Sequence, residues 1–139
     1  MVRIAIVVSE FNAEVTGLML AKAQETCKKN EVEVLETVKV PGAYDIAVIA
    51  SELARRSDVQ AVVCLGAIIK GDTDHDQILG YALAESLHDI AIENRTPVML
   101  GVIGPGATEK QAMARAEEYG ERAVLSAVKM IESMKELVG

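Results

Sequence analysis

Residues 70–76 read Lys-Gly-Asp-Thr-Asp-His-Asp and crowd three carboxylates around one of the chain's two histidines. A calcium loop starting at Asp72 would use Asp74 and Asp76 as alternating ligands, then require Gly at its sixth position and Glu at its twelfth. Those positions hold Gln77 and Leu83, so the calcium spacing fails. A transition-metal site wants more than one imidazole or thiolate close by. His88 lies well down the same predicted helix, and Cys27 and Cys64 are far apart with no ligand spacing, so no metal is assigned. Two readings of the segment stay open. In one, backbone N–H groups of Gly71, Asp72 and Thr73 at a helix N-terminus hold a phosphate while His75 exchanges protons with the ligand. In the other, Asp and Thr simply cap a helix and the histidine is a bystander.

Other residues could join such a site. Phe11 is the only phenylalanine, in a chain with 3% aromatic residues, and it follows an apolar run directly. Its ring either folds over the core edge or stacks on a flat heterocycle. In "VPGAYD" (40–45) the backbone must turn before a helix. Asp45 there stabilises the helix start, or the segment from Ala43 through Tyr44 to Asp45 offers free backbone groups to a polyhydroxylated ligand. Lys70 and Arg115 are the candidate cations for a phosphate. "GVIGPGA" lacks the G-x-G-x-x-G order and no G-K-[ST] occurs, so dinucleotide and P-loop nucleotide binding are unsupported.

These segments must be carried by regular elements. "RIAIVV" (3–8) predicts a strand buried on both faces. Asn12 is placed to cap a helix over 13–29. Val32, Val34, Val38 and Val40 fall at even spacing in a second strand, stopped by Pro41-Gly42. A helix over 45–56, a strand over 61–69, a helix from the His75 segment to Asn94 and a strand over 97–103 follow. "GPGAT" reads as a turn, and a long helix covers 109–136, with Gly120 a candidate kink. Strand–helix alternation four times over predicts one α/β domain across residues 1–139: a three-layer α/β/α sandwich on a four-stranded parallel sheet. Ligands in such sheets bind beyond the carboxyl ends of the strands. That places the loops 10–13, 41–45, 70–76 and 104–108 around one site.

Bulk composition narrows the function. The formal net charge is −7, and the only adjacent basic pairs, Lys28–Lys29 and Arg55–Arg56, sit at predicted helix ends where cations suit the helix dipole. Nucleic acid is disfavoured as a partner. No apolar run approaches the ~20 residues that span a bilayer, and the first twelve residues read as a strand and not a signal peptide. Two thiols without a pairing motif suit a reducing cytoplasm.

With these pieces in place, the chain resembles the 6,7-dimethyl-8-ribityllumazine synthase family. "SEFN" (9–12), "VPGAYDI" (40–46), "GAIIKGDTDH" (66–75), "PVMLGV" (97–102) and "QAMARA" (111–116) carry the resemblance over nearly the whole chain. The short amino terminus and "YGERAV" look like the archaeal branch. The resemblance implies a flavodoxin-like fold and a transferase of riboflavin biosynthesis. Such an enzyme condenses 5-amino-6-(D-ribitylamino)uracil with 3,4-dihydroxy-2-butanone 4-phosphate and uses no cofactor. It implies Phe11 stacked on the pyrimidine, Ile68 and Ile69 at its edge, and Ala43, Tyr44 and Asp45 along the ribityl chain. Gly71, Asp72, Thr73 and Arg115 hold the phosphate, and His75 moves protons. Leu100 and Arg115 come from the next subunit of a pentamer, and pentamers pair or close into shells of sixty subunits; riboflavin synthase is a candidate partner.

Four positions depart from the family pattern. Leu100 stands where many members carry Phe. Asp76 and Gln77 follow the histidine in place of a bulky aromatic and an acid. Tyr119 occupies the place of a lysine, for which Lys70, Lys110 or Arg122 is the substitute if one is needed. The rival readings are an archaeal-type riboflavin synthase, a non-enzymatic lumazine or flavin carrier on the same scaffold, and a flavodoxin-like electron carrier. "GDTDH" (71–75) disfavours the first, His75 together with Arg115 the second, and "SEFNAEVTG" (9–17) the third.

Overall fold

Valine- and isoleucine-rich segments form the centre of the computed structural model, which describes residues 1–138. Strand β1 (Val2–Ser9) leads into helix α1 (Ala13–Lys29), strand β2 (Val32–Val40), a 3₁₀ turn (Ala43–Asp45) and helix α2 (Ile46–Ala54). Strand β3 (Ala61–Ile69), helix α3 (His75–Asn94), strand β4 (Val98–Ala107) and helix α4 (Glu109–Val138) complete the chain. The sheet is parallel in the order β2-β1-β3-β4, the flavodoxin-like α/β arrangement expected from the alternation of elements.

The central strands β1 and β3 are apolar on both sides because both sides are covered. Ile4, Ile6, Val8, Val63 and Leu65 pack under α1 and α4, whereas Ala5, Val7, Val62 and Cys64 pack under α2 and α3. Three layers result, with strand order reversing between β1 and β3. Burial pushes the Cys64 thiol up to about 12 and Cys27 up to about 11. Among the described residues, no helix is long and apolar enough to cross a membrane.

Several local expectations are corrected. The even-spaced valines of β2 do not share a face: Val32 and Val34 pack toward α1, Val38 and Val40 toward α2. A bulge resets the alternation, since Ile4 pairs with Val34 but Ala5 with Glu36, which leaves Leu35 unpaired. The segment read as a turn after residue 103 continues β4 to Ala107, with Ile69 paired to Ala107 across a register shift. Gly120 does not interrupt α4, which runs unbroken for 30 residues. Its missing side chain admits α1 instead, because a Cβ at Gly120 would collide with the Met19 carbonyl oxygen. Of the basic pairs, Lys28 and Lys29 lie in the last turn of α1, but Arg56 is taken up by Glu36 and Asp58. Its hydrogen bond holds the Asp58 carboxyl below the usual carboxylate range.

Gly120→Ala should destabilise the protein by about 1–2 kcal/mol, because the backbone clash outweighs the ~1 kcal/mol that alanine gains in helix propensity. A urea titration checks this, and a raised midpoint would contradict the close-packing role. Neither thiol should react with a disulfide reagent at pH 8 until the protein is unfolded, as thiol counting with and without denaturant will show.

Candidate active site

The carboxyl ends of the strands are fastened to one another, and that fastening shapes the site. Glu10 N–H donates to the Val40 carbonyl at 2.7 Å, and Phe11 N–H to Pro41 at 2.9 Å. Asn12, expected to cap α1, makes no side-chain cap; its backbone is left-handed (φ 64°) and its Nδ2 donates to the Ala67 carbonyl at 2.9 Å. β1 and β3 pair only as far as Val8 and Leu65, so the amide stands in for the strand residue that β1 no longer supplies. The neighbouring Phe11 is thereby held at the rim.

Next to these links lies a cavity of about 390 Å³, a volume suited to small organic ligands. Phe11, Ala43, Tyr44, Ile68, Ile69, Gly71, Thr73 and His75 all line it. Phe11 is 70% and Tyr44 80% exposed, so neither ring is folded into the core. The Asp45 carboxylate turns back to accept from Gly42 N–H at 3.0 Å, and this orders the turn that presents Ala43 and Tyr44. Asp45 itself does not line the cavity.

His75 is the first residue of α3, and the three residues before the Asp74 N-cap position are exposed. Among the described residues, nothing accepts from the backbone N–H groups of Gly71, Asp72 or Thr73. Unengaged donors ahead of a helix N-terminus suit an anion. Asp72 lies in this loop without lining the cavity, and Thr73 accepts from His75 N–H at a long 3.4 Å.

Sequence reasoning passed over Asn12, Gly42, Ala67, Asp76 and Leu79, which also line the cavity. Leu79 carried a usable signal, since it lies one turn along α3 from His75 and shares its face. From the sequence, Asp76 reads as a rejected calcium ligand, a helix cap or a departure from the family pattern. Its Oδ2 instead accepts from Gly106 N–H at 3.0 Å, across from β4.

Comparison with known proteins places this geometry. The family model described as 6,7-dimethyl-8-ribityllumazine synthase matches residues 1–135. The chain belongs to the 6,7-dimethyl-8-ribityllumazine synthase family. A relative of that name from Pyrobaculum arsenaticum is 50% identical over 137 residues, covering 99% of this chain and 91% of its own. Another from Aeropyrum pernix is 50% identical over 139 residues, covering 99% and 95%. A third from Sulfolobus acidocaldarius is 49% identical over 136 residues, covering 98% and 86%.

For a chain of the lumazine synthase family, two expected residues stand apart. Arg115 is exposed on α4, on the far side of the sheet from His75, and Leu100 is 49% exposed on the edge strand β4. Leu100 shares a separate hollow with Tyr119 and Arg122, whose guanidinium lies 5.7 Å from the Tyr119 ring centre and bonds to Glu118 at 2.8 Å. Among the described residues, no lysine or arginine lines the cavity that holds Phe11 and His75.

Asn12→Ala should cost about 1–2 kcal/mol, because it strands the Ala67 carbonyl and places a Cβ-bearing residue without a stabilising side chain at positive φ. Asn12→Gly should cost less, since only the hydrogen bond is lost. Chemical denaturation of both variants tests the order, and equal stability of Asn12→Ala and wild type would contradict it.

Proposed function

We propose that this cavity condenses 5-amino-6-(D-ribitylamino)uracil with 3,4-dihydroxy-2-butanone 4-phosphate to give 6,7-dimethyl-8-ribityllumazine, phosphate and water, a step of riboflavin biosynthesis. One observation carries the roles: an exposed ring at Phe11, unengaged backbone donors at Gly71–Thr73 and the His75 imidazole meet around a single cavity. Family membership supplies the reaction.

In this reading Phe11 stacks on the pyrimidine and the backbone at Ile68 and Ile69 meets its edge. Ala43, Tyr44 and the turn ordered by Asp45 follow the ribityl chain. The loop of Gly71, Asp72 and Thr73 receives the phosphate, and His75 lies between the two substrates. The aryl amine attacks the ketone and the carbinolamine loses water to form an imine. Phosphate then leaves, and the ribitylamine nitrogen closes the ring with loss of a second water. Every step is a nucleophilic addition, a proton transfer or a leaving-group departure, so the chemistry calls for no metal or organic cofactor. Holding both substrates in register is worth up to ~7–11 kcal/mol in favourable cases, and one histidine adds ~10²–10⁴-fold.

A dianionic phosphate in a cavity without a cation needs one from elsewhere. Arg115 of a second copy supplies it, and Leu100 of that copy closes one wall of the pyrimidine slot. Both are exposed, and Arg115 has no ion-pair partner among the described residues. Exposed Val48, Ile78, Tyr81 and Ile92 on α2 and α3 favour self-association. The working form is a pentamer, alone, paired or closed into a sixty-subunit shell, in the cytoplasm, with riboflavin synthase a partner that takes the product.

Supplying both substrates to the protein in chelator-treated buffer should yield the absorbance and fluorescence of the lumazine; no product would sink the assignment. His75→Ala should lower kcat by about 10²-fold or more without abolishing turnover. Arg115→Ala should act mainly on KM for the phosphate substrate. Steady-state kinetics separates the two, and an undiminished kcat in the histidine variant removes the shuttle role.

A further inference from the structure

Helix α3 begins at the residue that matters most to the proposed reaction, yet its start lacks the usual fastening. Asp74 occupies the N-cap position without a side-chain hydrogen bond to the first turn. The Thr73 hydroxyl reaches His75 N–H only at 3.4 Å. The short bond at this end of the helix comes from Asp76, whose Oδ2 accepts from Gly106 N–H at 3.0 Å, 30 residues further along the chain.

Gly106 is itself held in place. It lies in the arch Gly104–Ala107 that ends β4. Lys70 N–H donates to the Ala107 carbonyl at 2.7 Å, and Ala107 pairs with Ile69. Gly104, at φ +96°, lies so close to the Ile68 carbonyl that no Cβ would fit, and a Cβ at Gly80 of α3 would lie 2.5 Å from Cδ of the Pro105 ring. The arch therefore cannot shift without moving the end of β3. A continuous set of contacts runs from Ile68 and Ile69 through Ala107 and Gly106 to Asp76, and from there to the adjacent His75. Asp76 is half-buried and lines the same cavity.

We propose that Asp76 is a positioning residue: its bond to Gly106 N–H sets the distance between His75 and the carboxyl end of β3, where Ile68 and Ile69 meet the heterocycle. The proposal rests on the condensation reaction proposed above. It differs from a helix-dipole role, which would act through the carboxylate's charge. Positioning needs an acceptor at one place, and asparagine supplies that acceptor without the charge. Nucleophile, imidazole and phosphate loop stay in register only while α3 and β3 keep their spacing, and displacements near 1 Å cost up to about 100-fold in rate.

The test compares Asp76→Ala with Asp76→Asn in the full-length assembled protein. Asp76→Ala should lower kcat about 10- to 100-fold while KM for both substrates stays within about twofold. Asp76→Asn should recover to within about threefold of the unmodified kcat. Hydrogen exchange at the Gly106 amide should accelerate at least about tenfold in the alanine variant and remain slow in the asparagine variant. Should Asp76→Ala not fold, Asp76→Glu takes its place: it keeps the charge, moves the acceptor by one methylene, and should lose kcat where asparagine does not. An unslowed Asp76→Ala overturns the positioning role, and so does an asparagine variant as slow as alanine. Unmodified protein that forms no lumazine refutes the proposed reaction itself, an outcome distinct from either.

Discussion

Where β1 and β3 part company, the Ala67 carbonyl on β3 loses its neighbouring strand, and an unmatched backbone acceptor beside the core is costly. The Asn12 amide meets that need from a left-handed backbone that few residues tolerate. Much follows from this one bond. It fixes the path between β1 and α1, it keeps the two strand ends level after their ladder stops, and it leaves Phe11 at the rim with its ring in solvent. The bonds from Glu10 and Phe11 to the end of β2 extend the same lattice sideways, so three strand ends behave as one rigid lip.

Upon that lip a strongly acidic molecule assembles a largely apolar cavity with unengaged backbone donors at Gly71–Thr73. The donors that face the anion loop are backbone groups, whose number does not depend on net charge. The side chains around them are acids, and the nearest lysine, Lys70, is exposed and does not line the cavity. Backbone donors select a phosphate by shape, but they neutralise little of its charge. An acidic chain with such a loop gains most from a cation carried on another surface. In the proposed reaction that cation is Arg115 of a second copy, carried on the side of the sheet opposite His75.

The parts of the fold set by hydrophobic pattern could be read directly from the residues. Two-sided burial of β1 and β3 shows as unbroken apolar runs, and the bounds of α1 and β3 coincide with the stretches between their polar punctuation. What escaped was set by contacts distant in sequence. The even spacing of the β2 valines does not reveal that they divide between two faces, because nothing local announces the bulge at Leu35. Asn12 has the composition of a helix cap, and its diversion to Ala67 depends on where β1 and β3 separate. Gly120 looked like a weak point because its partner, the Met19 carbonyl, is about a hundred residues away. Of the residues singled out from the sequence, Phe11, Ala43, Tyr44, Gly71, Thr73 and His75 line one cavity, because the carboxyl ends of the strands bring their loops together. The contact made by Asp76 was not legible, because a carboxylate beside a helix start has a local explanation that hides its reach to Gly106.

The arrangement of the core also has a consequence for synthesis. One side of the sheet is covered by α1 and α4 together, and α4 follows all four strands, supplying Ala112, Ala116, Ala123, Val124, Ala127 and Ile131 to that side. A chain emerging from the ribosome completes β1 to β4 with half of this face still bare, and the 30 residues of α4 must follow before the layer closes. Translation therefore passes through a stage at which a finished parallel sheet presents oily surface to the cell. That exposure lasts until α4 has formed and docked on the sheet.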